Sequence, residues 1–189
     1  MTTGWILLAL GAVVLGYAGV TFNRLVRLRN LVREAWSGID VQLKRRADLV
    51  PNLVEAVKGY AAHERGLFEE VAARRAGSVA ASGVAVQAAA ERAFAASVGK
   101  LMALAENYPQ LKADQNFREL QSQLADIEDQ LQMARRYYNG TVRNLNISIE
   151  RFPATIVARA FGFREEPFFE LDDRAAAAPP QVEFAQGRQ

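Results

Sequence analysis

Trp36–Glu64 reads WSGIDVQLKRRADLVPNLVEAVKGYAAHE, and its spacing decides the fold. Carried back to Leu25, apolar or small residues recur at Leu25, Leu28, Val32, Ala35, Ile39, Leu43, Ala47, Val50, Leu53, Val57 and Ala61. The steps alternate between three and four, as in a helix that lays one stripe against partner helices. The stripe predicts one long helix from Leu25 to about Arg75. Within it Gly38 costs only ~1 kcal/mol relative to Ala. Pro51 is the sharper event, predicting either a kink near Leu49–Pro51 or a restart with Asp48 as its cap.

N-terminal to this stretch, Gly4–Phe22 (GWILLALGAVVLGYAGVTF) carries no charged residue. As a helix it would be about 28 Å long, close to the ~30 Å of a hydrocarbon core. Trp5 near one end and Tyr17 and Phe22 toward the other suit the two interfaces. A basic-free start (Met1-Thr2-Thr3) and the lack of a small-x-small cleavage pattern argue against a removed leader. Residues 4–22 therefore read as a retained single-pass anchor. Arg24, Arg27, Arg29 and Arg33 follow directly, which predicts an N-terminus outside and a cytoplasmic C-terminal domain. The same four arginines are candidate contacts for anionic lipid headgroups.

C-terminal to the stretch, Gly77–Gly83 (GSVAASG) predicts a turn. Val84–Asn107 resumes helical spacing until Pro109 stops it. A further helix should begin near Asp114–Asn116, where Asn116 and Glu119 have capping-box spacing. Its stripe runs Phe117, Leu120, Leu124, Ile127, Leu131, Ala134, Tyr138, Val142, Leu145, Ile149, Phe152, and Pro153 stops or kinks it. Ala154–Phe163 is a short apolar piece. Residues 164–189 form an acidic tail in which Pro167-Phe168-Phe169 is still able to pack, while Asp172–Gln189 has the composition of a disordered segment. The expected architecture is all-α: a transmembrane helix (4–22) that continues into a long-helix antiparallel up-and-down bundle (23–163).

Composition narrows the chemistry. Cys is absent from the 189 residues, which removes disulfides and thiolate sites and fits a reducing compartment. His63 stands alone, and HERGL is not HExxH, so no imidazole metal site forms. Neither a GxGxxG nor a GxxxxGK[ST] loop occurs, so no cofactor is expected. Asp126, Glu128 and Asp129 read as a solvated acidic face. Lys44-Arg45-Arg46 lies mid-helix and reads first as an ordinary polar face, with pairing to acids of a neighbouring helix or subunit as the alternative. A net charge of +2 without a basic, aromatic-laced patch does not point to nucleic acid.

With these blocks placed, the chain resembles the LemA family over about residues 5–170. The resemblance rests on the N-terminal apolar helix, on AWSGIDVQLKRRADLVPNLVEAVKGYAAHE, on YPQLKADQNFRELQSQLADIED, and on RRYYNGTVRNLN…RFP…GF…FFE. It implies a membrane-anchored protein with a cytoplasmic helical bundle and supplies no catalytic residues to carry over. Some relatives are associated with bacterial organelle membranes, which favours a membrane-organising role. The leading expectation is a non-enzymatic scaffold or adaptor that forms homo-oligomers. Self-association would use Ala12 and Gly16 in the span, with small-xxx-small spacing, and Leu28, Val32 and Trp36 on a stripe expected to lack cover within the chain. The alternative is a regulatory partner of an adjacent membrane enzyme or protease, with that membrane protein as its client.

Overall fold

One helix, α1, runs unbroken from Thr2 to Lys58, so the apolar span and the amphipathic stripe belong to a single rod of 57 residues. At 1.5 Å per residue it is about 85 Å long. The computed structural model describes residues 2–170; the expected disordered segment at Asp172–Gln189 lies outside the described residues. The remaining elements are α2 (Arg65–Ala80), α3 (Val84–Ala105), the short α4 (Pro109–Ala113), α5 (Gln115–Glu150) and α6 (Ala154–Ala160). Among the described residues all regular structure is helical.

The long helix expected over Leu25–Arg75 is thus two helices. α1 stops at Lys58, ahead of Gly59, and the amides of Tyr60 and Ala61 both donate to the Val57 carbonyl, at 3.0 and 2.9 Å. Ala61 is buried in the turn itself, and Phe68 and Val71 open the buried face of α2. The apolar spacing therefore persists through a change of direction, which is why periodicity alone reads straight across it.

Pro51 neither ends α1 nor restarts it. Its ring removes the N–H that would bond the Ala47 carbonyl. Arg75 of α2 donates to that carbonyl through Nε, and its Nη2 lies 3.7 Å from Asp48 Oδ1. Asp48, expected as a cap, instead faces this arginine. A neighbouring helix supplies the donor that proline deletes, and the rod continues.

α1 and α5 form the principal pair and run antiparallel: Arg46 meets Glu128, Trp36 meets Tyr138, and Thr21 and Leu25 face Ile147 and Ser148. α2 and α3 form a second antiparallel pair, with Ser78 against Glu91 and Lys100 Nζ 2.9 Å from Glu70 Oε1. Because α2 reverses the chain, α3 is parallel to α1 rather than antiparallel to it. The α2–α3 turn is shorter than expected. Gly77 through Ala80 stay helical, held by the buried Ser78, and only Ala81–Gly83 turn. Gly83 has φ +87°, a left-handed conformation that glycine adopts without strain.

The start of α5 also differs from the expected capping box. Asp114 is the N-cap and accepts from the Phe117 amide at 2.9 Å, while Glu119 accepts from the Gln115 side chain. The expected stripe then holds for Phe117, Leu124, Ile127, Leu131, Tyr138, Val142, Leu145 and Ile149, all buried. Phe152, past the end of the helix, is 76% exposed.

The Pro51 arrangement gives a thermodynamic cycle. Arg75→Ala should cost about 1–3 kcal/mol, the penalty for a buried carbonyl left unpaired. In a Pro51→Ala background the restored N–H should bond Ala47, and the same arginine substitution should cost far less. Denaturant unfolding of the two single variants and the double variant measures the coupling.

Candidate functional site

The bundle has two apolar halves. The half far from the apolar run gathers Leu49, Leu53, Val57, Phe94, Leu101 and Ile127 with their neighbours. The half beside the apolar run gathers Leu25, Val32, Ile39, Leu131, Tyr138 and Leu145 with Phe163 and Phe169. Between them lies a charged layer centred on Arg46.

Arg46 is 1% exposed and bonds Glu91 of α3 through Nη2 and Glu128 of α5 through Nη1, the latter at 2.7 Å. Glu91 is fully buried and also accepts from Ser78 Oγ and from Gln87 Nε2. Glu128 keeps 40% of its side chain in solvent, so only one of the two carboxylates loses its water entirely. The guanidinium carbon stands 5.3 Å from the Phe94 ring centre, a cation–π contact on the apolar side. Three helices thus meet at one cation, and α2 joins them through Ser78 on Glu91. Of the basic run Lys44-Arg45-Arg46, it is Arg46 that turns inward, and Glu128 leaves the acidic face to meet it. Among the described residues, no group of three or more His, Asp or Glu side chains could hold a metal ion.

The arginines after the span divide. Arg24, Arg27 and Arg33 are exposed. Arg29 is partly buried, its guanidinium 5.0 Å from the Phe163 ring centre and its Nε without an acceptor. Ala12 and Gly16 are exposed on the span, and a Cβ at Gly16 would meet nothing within 4 Å.

The stripe next to the apolar run is covered, contrary to expectation. Leu25, Val32 and Ala35 are buried, and Leu28 is partly buried against the same cluster. Trp36 sits edge-on to Tyr138 at 5.3 Å and to Phe169 at 5.4 Å. The cover comes from α5, α6 and residues 164–170, the last grouped with the tail in the sequence reading. That segment is an extended strap. Asn146 bonds both the amide and the carbonyl of Glu166, and Asn139 does the same for Phe169, at 2.9 to 3.2 Å. The two asparagines stand seven residues apart on one face of α5, so each replaces the partner that a β-strand would have offered. Tyr138 Oη donates to the Pro167 carbonyl at 2.9 Å. Burial, assisted by the nearby Glu166 carboxylate, pushes the Tyr138 phenol up to about 12.

The LemA family model matches residues 35–184, and the chain belongs to that family. The curated relatives include the magnetosome protein MamQ of Magnetospirillum gryphiswaldense, 24% identical over 174 residues, a match covering 78% of this chain and 64% of the relative. Two MamQ proteins of Paramagnetospirillum magneticum are likewise 24% identical, over 175 residues, covering 79% of this chain and 64% of their own lengths. The chain thus spans just under two thirds of these relatives.

Two outcomes follow from the geometry. Arg46→Met leaves Glu91 buried without its cation and should cost about 3–5 kcal/mol, whereas Arg46→Met combined with Glu91→Leu should recover much of that loss; thermal and denaturant unfolding will show the difference. The second concerns alkaline pH. The folded phenol of Tyr138 has a pKa above its ordinary value of 10.0, so folded protein holds the proton more tightly than unfolded chain. Its contribution to stability is complete below pH 10 and is lost as pH rises toward about 12. Tyr138→Phe should flatten that part of the stability profile, measured by urea unfolding across the alkaline range.

Proposed function

We propose that this LemA family member is a membrane-anchored, non-enzymatic helical scaffold or adaptor that self-associates through its span. The observation that carries the reading is the continuity of α1. Its N-terminal third exposes Trp5, Leu8, Val13, Leu15 and Val20, each at least 67% uncovered, while its C-terminal two thirds supply the core of the bundle. α1 is also the one helix among the described residues that is long and apolar enough to cross a membrane. A rod shared by bilayer and bundle transmits position and tilt without a hinge, which suits a protein that holds others in place. The arginines beyond the span support an N-out orientation in the bacterial inner membrane, with the bundle in the cytoplasm. Relatives named as magnetosome proteins support a role at a bacterial membrane structure.

Burial of Val32 and the packing of Trp36 move the proposed self-contact away from the stripe and into the span. Ala12 and Gly16, exposed and one turn apart, would let two anchors approach closely. The natural absence of Cys makes the test direct. Single cysteines at Ala12 and Gly16 should cross-link in native membranes, while one at Val32 should not. A cysteine at Val86, exposed on α3, should react with an impermeant maleimide only after the cells are opened. Monomers at both span positions, in folded protein, would exclude anchor pairing and favour the client-regulator alternative.

A further inference from the structure

The corner between α5 and α6 carries apolar side chains that the bundle does not use. Phe152, Ile156 and Phe161 are 76%, 60% and 60% exposed within ten residues, and Ile147 on the last turns of α5 is 53% exposed. An apolar patch of this kind in water is unfavourable and marks a contact surface. Its position says what it contacts. The Phe161 ring lies 4.9 Å from that of Phe22, at the end of the span. A groove of about 340 Å³ between the corner and α1 is lined by Tyr17, Val20 and Arg24 on one side and by Ile147, Arg151 and Phe152 on the other. Tyr17 and Val20 belong to the apolar run itself. Along the helix Tyr17 is about 7 Å inside Phe22, which matches the 5–10 Å depth at which interfacial elements sit. If the span is fully inserted, the corner cannot stay in bulk water.

We propose that the α5–α6 corner is a second membrane contact, an interfacial foot beside the anchor, and that its groove seats the headgroup of an anionic phospholipid. This rests on the reading of α1 as a membrane span. The charges at the groove argue for the occupant. Arg24 and Arg151 stand on opposite walls, both exposed, and neither guanidinium has a carboxylate partner among the described residues. Two cations over an apolar floor match a phosphate above its acyl chains. Two further cations, Arg27 and Arg159, lie exposed on the flanking turns.

The test uses the full-length chain in vesicles of phosphatidylcholine, with and without phosphatidylglycerol. Single-cysteine spin labels replace Phe152, Phe161, Val13 in the span, and Val86 on α3, and far-UV circular dichroism checks folding. Labels at Phe152 and Phe161 should be accessible to oxygen and shielded from a water-soluble nickel chelate, as Val13 is, with Val86 the reverse. If Val13 is nickel-accessible, the anchor reading fails; if Val13 is shielded but both corner labels are nickel-accessible, the foot is overturned. For the headgroup, detergent-extracted protein from mixed vesicles is analysed for retained lipid by mass spectrometry. Phosphatidylglycerol should be enriched over phosphatidylcholine by about fivefold for each arginine engaged. The double variant Arg24→Gln with Arg151→Gln should lose that enrichment. Equal retention of the two lipids by the parent chain, or unchanged enrichment in the double variant, overturns the headgroup assignment.

Discussion

Arg46 is where four helices agree on a register. A buried ion pair is weak evidence for net stability, because desolvation of both charges offsets most of their attraction. It is strong evidence for alignment. If α1 slides by one turn along α5, or α3 shifts against α1, a guanidinium remains in the interior without its carboxylates, at a cost of several kcal/mol. The two apolar clusters on either side have no such sense of position, since leucine and valine tolerate many neighbours. One cation between them ties α1 to α3 and α5, and Ser78 and Gln87, by bonding Glu91, bring in the α2–α3 hairpin. The same logic appears at smaller scale where Arg75 completes the backbone that Pro51 interrupts.

The half beside the apolar run solves a different problem. There α2 and α3 no longer reach far enough to cover α1, and only α5 is long enough to accompany it. The missing cover is assembled from α6, Phe163 and the extended strap at 164–170. An extended segment brings backbone groups that need partners, and Asn139 and Asn146 provide them. Their amides each present one donor and one acceptor to the strap, so the N–H and carbonyl of Glu166 and of Phe169 are satisfied without a sheet. Phe169 then closes over Trp36, and the stripe that a second subunit would otherwise need to cover is finished within the chain.

Much of this was legible in the sequence. The span, the two long stripes and the all-α bundle follow from composition and period, and the breaks at Pro109 and Pro153 from proline chemistry. What escaped has physical causes. The α1–α2 turn was hidden because Ala61 is buried outside a helix, keeping the apolar period intact while the chain reverses. The strap was hidden because its order depends on Asn139 and Asn146, distant polar residues with no periodic signature. The charged layer was accessible. In seven-residue steps α1 reads Leu25, Val32, Ile39, Arg46, Leu53, and α3 reads Val84, Glu91, Val98, Ala105. Opposite charges at core positions of two stripes are a pairing signal, passed over when only apolar residues are counted.

The unbroken α1 has a consequence for distance. From Phe22 to Lys58 the rod rises about 54 Å, while Trp36, which the strap closes over, lies about 21 Å from the same point. Set upright, the molecule is a spacer of fixed height with two storeys. The turn after Lys58 lies at the upper end together with α4, and the strap at 164–170 packs on the lower floor. With α1 inserted as proposed, whatever rests on the far end of the rod is held at a set standoff from the bilayer.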